Sequence, residues 1–154
     1  MGWHQGDIEM ARPTLVLDAS VGVKWFSAIG ESCVPQARAI MKAHARGEIS
    51  LVVPDLFFHE ISNTLVCKKT LSMTLIEESI TTLFDLGLSI FTASEQRLRT
   101  STQLARKAGI TEYDAYYIVA AIENRCPLIT ANPRHQRQEL GCQVIPIEQW
   151  TITH

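Results

Sequence analysis

The sequence predicts an α/β fold, in which a parallel β-sheet of about five strands lies between helices in a single three-layer domain. One observation is that short, uncharged, β-prone runs alternate along the chain with segments of helical periodicity. Another is that the first of these runs, residues 14–17, carries no charge, as expected for a strand buried on both faces of a parallel sheet, and ends abruptly at Asp18. The length of 154 residues and the hydrophobic fraction of 46% fit one soluble globular domain with its own core.

The order of the elements follows from these patterns and from local start and stop signals. Ser94 and Thr111 are side chains that cap helices, and Gly87 and Gly109 are typical residues at which helices end. Strands are predicted at residues 14–17, 49–53, 88–91, 127–130 and 143–146. Helices are predicted at residues 20–28, 35–45, 55–69 and 74–86, after 94 and 111, and as a short polar helix after 132.

Composition excludes several classes of protein. No apolar run is long enough to span a bilayer, and the N-terminus lacks the basic and apolar regions of a signal peptide, so we expect a cytoplasmic protein. Residues 1–12 are expected to form a mobile extension ahead of a domain at residues 13–152. The net charge of −2 gives no global attraction to nucleic acid. The four cysteines are scattered, which favours reduced thiols over zinc ligands or a disulfide framework: Cys33, Cys67, Cys126 and Cys142.

Four polar residues fall where the predicted fold brings side chains together. Asp18 ends the first strand, Asn132 follows the fourth strand, and Asp114 opens a strongly apolar helix. Glu60 lies within the helix after the second strand, among apolar neighbours. Each also has a local explanation, because Asp18 and Asn132 are good helix caps, Asp114 completes a capping box with Thr111, and Glu60 suits a solvated helix face.

Together the four residues predict a cation site. The carboxyl ends of neighbouring parallel strands meet at one edge of the sheet, so Asp18, Asp114 and Asn132 are expected around one cleft, within reach of Glu60. Carboxylates that converge repel one another, and their burial is costly unless a cation neutralises them. Ligand sets made only of oxygen suit Mg²⁺ or Mn²⁺ better than zinc.

Four segments follow one another along the chain: Leu-Asp-Ala-Ser at 17–20, Val-Pro-Asp-Leu-Phe-Phe-His-Glu-Ile-Ser-Asn at 53–63, Glu-Tyr-Asp-Ala-Tyr-Tyr at 112–117 and Leu-Ile-Thr-Ala-Asn at 128–132. In this order they resemble the successive motifs of PIN-domain nucleases, and most closely those of VapC-type toxins of toxin–antitoxin pairs. The resemblance implies a PIN-like, Rossmann-like domain that hydrolyses RNA phosphodiester bonds with Mg²⁺ or Mn²⁺. It also implies an antitoxin and a second copy of the chain as partners.

The resemblance assigns roles to individual residues. Asp18, Glu60 and Asp114 match the metal-binding acids of the family, while Ser20, Asn63 and Thr130 match polar positions that line or support the site. Asn132 stands where the family usually has a fourth acid, so the site loses one negative charge and weaker metal binding is expected. Glu112 restores this negative charge only if its side chain turns into the cleft. The alternative is a catalytically weakened or silent relative that binds RNA or a protein partner.

Other candidate sites are weaker. Arg134 and Arg137, beside His135, form either a solvated basic face or a contact for RNA phosphates. His59 and Glu60 begin like a zinc-protease motif, but Asn63 replaces its second histidine. A phospho-acceptor receiver domain would need a second acid near the first strand and a lysine before the last strand, and the sequence has neither.

Overall fold

The structure, a computed structural model, describes residues 12–134, 136 and 140–151. It confirms the predicted α/β fold, with a five-stranded parallel sheet flanked by helices. The strands are β1 (Thr14–Leu17), β2 (Ser50–Pro54), β3 (Ser89–Phe91), β4 (Leu128–Thr130) and β5 (Val144–Pro146). The helices are α1 (Ala19–Gly22), α2 (Val34–Ala45), α3 (Leu56–Cys67), α4 (Met73–Asp85), α5 (Glu95–Ala108) and α6 (Glu112–Glu123).

The strand order in the sheet is β3-β2-β1-β4-β5, with every neighbouring pair parallel. The central strand β1 pairs with β2 on one side, where Leu15 is opposite Leu51, and with β4 on the other, where Leu17 is opposite Ile129. Helices cover both faces of this strand, which is why Val16 and Leu17 are fully buried. The chain runs outward from β1 in both directions, so the strand order reverses between β1 and β4.

The caps predicted for two helices are present. The Ser94 hydroxyl accepts a hydrogen bond from the Arg97 backbone N–H at 3.1 Å, and the Thr111 hydroxyl accepts one from the Asp114 N–H at 3.1 Å. Gly109 ends α5 in the left-handed conformation, with φ at 67°. These local contacts fix where α5 and α6 begin, which sets the position of Asp114 in the first turn of α6.

The helix predicted at residues 20–28 is shorter than the sequence indicates. It begins at Ala19, ends at Gly22 and continues only as a 3₁₀ turn over Val23–Trp25. The buried Trp25 donates its indole N–H to the Ala37 carbonyl at 2.8 Å, which fixes this turn against α2. A side chain at Gly22 would lie 2.5 Å from the Phe57 ring, so α1 and α3 approach closely only because residue 22 has none.

Some predicted segments lie partly or wholly outside the described residues. Of the N-terminal extension at residues 1–12 only Arg12 is described, and the last predicted domain residue, 152, is also outside. The short polar helix predicted after Asn132 falls largely on residues left undescribed. After β5 the chain forms a 3₁₀ turn, Ile147–Gln149, that the sequence did not predict. Within the described ranges, no helix combines the length and the apolar character needed to cross a membrane.

Candidate active site

A cleft of about 470 Å³ opens at the carboxyl edge of the sheet, next to the point where the strand order reverses between β1 and β4. Open α/β sheets commonly bind ligands at this place. The described side chains that line the cleft include a single lysine, Lys24, and a larger set of acids. The acids are Asp18, Glu31, Glu60, Asp114 and Glu148. An anionic ligand can therefore enter only if cations offset much of this negative charge.

Asp18 lies at the centre of the cleft, directly after β1, and is only 6% exposed. Its Oδ2 accepts a hydrogen bond from the Ser20 hydroxyl, a second from the Ser20 backbone N–H at 3.3 Å and a third from the Thr130 hydroxyl at 3.3 Å. Its Oδ1 accepts a hydrogen bond from Gln136 Nε2 at 3.4 Å. Four donors from three parts of the chain thus hold this carboxyl group in one orientation.

The two hydroxyl groups beside Asp18 have defined hydrogen-bond directions. The Ser20 hydroxyl accepts from the Ala131 backbone N–H at 3.0 Å, and the Thr130 hydroxyl accepts from the Asn132 N–H at 3.0 Å. Because each hydroxyl accepts from an amide, its own proton is left to donate to Asp18. Ser20 and Thr130 therefore connect the start of the β4–β5 loop to the acid at the end of β1.

Glu60 reaches the cleft from α3, on the edge of the helix face that Phe57 and Ile61 bury in the core. Its Oε1 and the Tyr117 hydroxyl are both buried without a hydrogen bond of normal geometry to any described residue, although the two groups lie close enough to interact with each other. Burial, followed by the negative charges of Asp18 and Asp114, raises the pKa of Glu60 to about 7. The carboxyl group thus carries a proton part of the time at neutral pH.

Asp114 completes the acid cluster from the first turn of α6. The side chain is half-buried and lines the cleft. Its charge acts on both neighbours, since it raises the pKa of Glu60 and, as a smaller effect after burial, also that of Asp18. Three acids from three different elements therefore share one electrostatic environment.

The remaining predicted site residues are not all at the cleft. Asn132 lines it with an exposed side chain, whereas Asn63 is exposed on α3 and does not line it. Arg134 is exposed outside the cleft lining, and Arg137, like His135, lies outside the described residues. Glu112 does not turn toward the cleft, because its Oε1 accepts a hydrogen bond from the Ser101 hydroxyl at 2.5 Å.

Sequence reasoning missed several residues of the site. Gln136 is 1% exposed and contacts Asp18 although it lies in a strongly polar run. Lys24 and Glu31 line the cleft as an ion pair, with 2.8 Å between Nζ and Oε2. Glu148 enters from the unpredicted turn after β5. The position of Lys24 between apolar residues was the one signal in the sequence for this ion pair, because an unpaired cation buried among apolar side chains would be costly.

The chemistry of the acid cluster fits a divalent cation. Its donor atoms are all oxygens, and the raised pKa values of Glu60 and Asp18 reflect burial and repulsion that a cation would relieve. In the described conformation no three Asp, Glu, His or Cys side chains among residues 12–134, 136 and 140–151 are close enough to hold one ion together. Asp18, Glu60 and Asp114 are the residues that suit such an ion.

Comparisons with known proteins identify the fold and the family of the chain. No curated protein matches the chain. A toxin–antitoxin complex from Klebsiella pneumoniae contains a chain of the same fold, with 16% identity, a TM-score of 0.62 and coverage of 86% of this chain and 97% of that one. FitAcB from Neisseria gonorrhoeae gives 15% identity, a TM-score of 0.62 and coverage of 88% and 99%.

VapC20 from Mycobacterium tuberculosis, described as a toxin that cleaves the sarcin–ricin loop, gives 9% identity and a TM-score of 0.59. Its alignment covers 74% of this chain and 86% of that one. At these identities the likeness is one of fold. A family model described as the PIN domain matches residues 15–139, a range that contains Asp18, Glu60 on α3, Asp114 on α6 and β4. This match over most of the sequence confirms the predicted resemblance, and the chain belongs to the PIN domain family.

Proposed function

We propose that the protein is a ribonuclease that hydrolyses RNA phosphodiester bonds with Mg²⁺ or Mn²⁺, and that it is the toxin of a type II toxin–antitoxin pair. The observation that carries the proposal is that Asp18, Glu60 and Asp114 reach one cleft from three elements, where burial and the neighbouring negative charges raise the pKa of Glu60 to about 7. Such a cluster suits a cation far better than it suits any neutral ligand.

In this proposal the chain supplies the binding and the orientation. Asp18, Glu60 and Asp114 hold the cation, directly or through water, while Ser20 and Thr130 keep the Asp18 carboxylate in place. Asn132 lines the same cleft and offers an amide oxygen as a neutral ligand. A bound divalent cation lowers the pKa of water and offsets charge on the phosphoryl group. No side-chain nucleophile is required for hydrolysis by water.

Two partners belong to the proposal. An antitoxin is supported by the toxin–antitoxin complexes among the similar structures and by exposed apolar side chains that a partner could cover. These side chains include Met73, Leu75 and Phe84 on α4. A homodimer follows from the family resemblance, and a cytoplasmic location follows from the proposed substrate.

The test is RNA cleavage by the purified, antitoxin-free protein with two variants, Asp18→Asn and Asp114→Asn. Each variant keeps the size of the side chain but removes one charge of the cluster. Both are expected to lose cleavage while retaining the circular dichroism spectrum and cooperative unfolding of the wild type. Ser32→Ala, which changes a cleft-lining residue outside the acid cluster, is the control and is expected to stay active. Retained cleavage in either Asn variant refutes the site assignment.

A second candidate function is that of a silent PIN-domain protein that binds RNA or a protein partner without cleaving. It is favoured by Asn132, a neutral residue in the cleft at the place of the usual fourth acid. Asn132→Asp separates the two functions. A large gain in both Mn²⁺ affinity and cleavage points to a weakened nuclease, whereas a gain in Mn²⁺ affinity without any cleavage points to a binding protein.

A further inference from the structure

We infer that Lys24 is a phosphate-binding residue of the cleft, and that it belongs to a largely buried ion-pair cluster with Glu31 and Lys68 that has a net charge of +1. The inference rests on the proposed function and specifies how an acidic cleft accepts an anionic RNA backbone. It concerns residues outside the acid cluster, and none of them belongs to the motifs that predicted the site.

The first observation is where the lysine lies. Lys24 is in the 3₁₀ turn that directly follows α1, the helix that Asp18 caps, so it is tied to the acid cluster by a short rigid segment. Its side chain is 5% exposed, yet it lines the same cleft as Asp18, Glu60 and Asp114. It is the only basic side chain among the described residues of the cleft lining.

The second observation is how the hydrogen bonds of the two lysines are shared. Lys68 Nζ donates to three acceptors, which are the Ser27 hydroxyl at 3.2 Å, the Ile29 carbonyl at 2.9 Å and Glu31 Oε1 at 3.3 Å. An ammonium group has three protons, so the donor capacity of Lys68 is used up. Lys24 Nζ donates to one acceptor in the described part of the chain, Glu31 Oε2 at 2.8 Å. Two of its protons thus remain for a ligand.

The third observation is the charge of the cluster. Glu31 balances only one of the two lysines that bind it, and all three side chains are at most 18% exposed. Burying an unbalanced cation is costly unless other charges compensate it. In the free protein the carboxylates across the cleft compensate part of this positive charge. In the complex an oxyanion of a phosphodiester would compensate it. Lys68 already ties the segment of Ser27, Ile29 and Glu31 to the end of α3, so Lys24 is not needed for that purpose.

The test compares three variants by the anisotropy of a short fluorescein-labelled single-stranded RNA, titrated in Ca²⁺ and again in EDTA. Lys24→Met removes the cation and is expected to weaken RNA binding about tenfold, as for the loss of a charged hydrogen bond. It is also expected to reduce the slope of log affinity against log salt concentration by about 0.7, as for one lost phosphate contact on a single strand. Lys42→Met, an exposed lysine on α2 outside the cleft lining, is the matched charge control and should change neither value appreciably.

Glu31→Gln distinguishes phosphate binding from a purely structural role. This variant keeps the shape of the side chain but raises the charge of the cluster to +2, so RNA binding should become tighter. A structural role predicts weaker binding for both Lys24→Met and Glu31→Gln, because both disrupt the same ion pair. If Lys24→Met does not fold, Glu31→Gln decides alone, and unchanged or weaker binding overturns the inference.

The outcomes also separate this inference from the proposed function. If the wild type binds and cleaves RNA and Lys24→Met binds RNA as tightly as Lys42→Met does, the role of Lys24 is overturned. The proposed nuclease function is then unaffected. A wild type that neither binds nor cleaves RNA overturns both. Opposite effects of Lys24→Met and Glu31→Gln on binding support the inference.

Discussion

Replacing Glu60 by Gln is expected to stabilise the cation-free protein at alkaline pH. The fold raises the pKa of Glu60 from its ordinary value of 4.5 to about 7, so between these values the native state binds more protons than the unfolded chain. The contribution of Glu60 to the free energy of unfolding therefore falls as the pH rises through this range and levels off above 7. Gln has no charge to lose, so it removes this contribution.

The size of the effect follows from the pKa difference. A change from 4.5 to about 7 corresponds to roughly 3 kcal/mol when Glu60 is fully ionised. Because the side chain is partly exposed and its charge is screened by solvent, we expect about 1–2 kcal/mol at pH 8 and little at pH 4. For a chain of this size that is a gain in Tm of about 2–8 °C, since each kcal/mol corresponds to about 2–4 °C.

The assay is thermal or urea unfolding of the wild type and Glu60→Gln in EDTA and in Mn²⁺, at pH 4 and pH 8. Mn²⁺ should stabilise the wild type more at pH 8 than at pH 4, since it competes with protons, and should stabilise the variant much less. Glu78→Gln, an exposed acid on α4, is the matched control and should behave as the wild type does. A difference in stability between the wild type and Glu60→Gln in EDTA that is the same at pH 4 and pH 8, or a Glu60→Gln variant that is destabilised at pH 8, would refute this reasoning.

Three further predictions concern the supports of the site. In urea unfolding, Gly22→Ala should destabilise the protein by about 1–3 kcal/mol, because the new methyl group meets the Phe57 ring. Adding Phe57→Leu should recover part of this loss, whereas additive losses in the double variant would contradict the contact. Ser20→Ala should lower the free energy of unfolding by about 1–3 kcal/mol, since the Ala131 N–H loses its acceptor and Asp18 loses a donor. An unchanged unfolding midpoint would show that these two hydrogen bonds do not stabilise the protein. Asn132→Asp should tighten Mn²⁺ binding, measured by calorimetry, about tenfold or more, and should lower the stability of the protein in EDTA. Equal Mn²⁺ affinity of the wild type and the variant would show that residue 132 does not bind the cation.

The sequence was sufficient for the sheet and for the acids at its edge. Buried strands and amphipathic helices leave periodic patterns, and a parallel sheet brings its carboxyl ends together whatever the details of packing. Asp18, Glu60 and Asp114 could thus be placed in one cleft before any coordinates. The capping role of Thr111 was also predictable, because it depends on residues within one turn.

The features that the sequence did not predict depend on contacts between distant segments. Gln136 lies in a polar run that favours exposure, and its burial depends on Asp18, which is 118 positions away. Lys24 resembles the single exposed lysine of an amphipathic helix until Glu31 and Lys68 are placed beside it. The close approach of Phe57 to Gly22 also joins two segments that are far apart in the sequence, which no pattern within α1 reveals.

The most direct test of the central claim is to identify the ends of the RNA fragments made by the purified protein in Mn²⁺, with parallel reactions in EDTA and with Asp114→Asn. Attack by water leaves linear phosphate ends, whereas ribonucleases that use the RNA 2′-hydroxyl as nucleophile leave 2′,3′-cyclic phosphates. The account predicts linear ends that appear only in Mn²⁺ or Mg²⁺ and only with the wild type. Cyclic ends, or cleavage that persists equally in EDTA or in the variant, would contradict it.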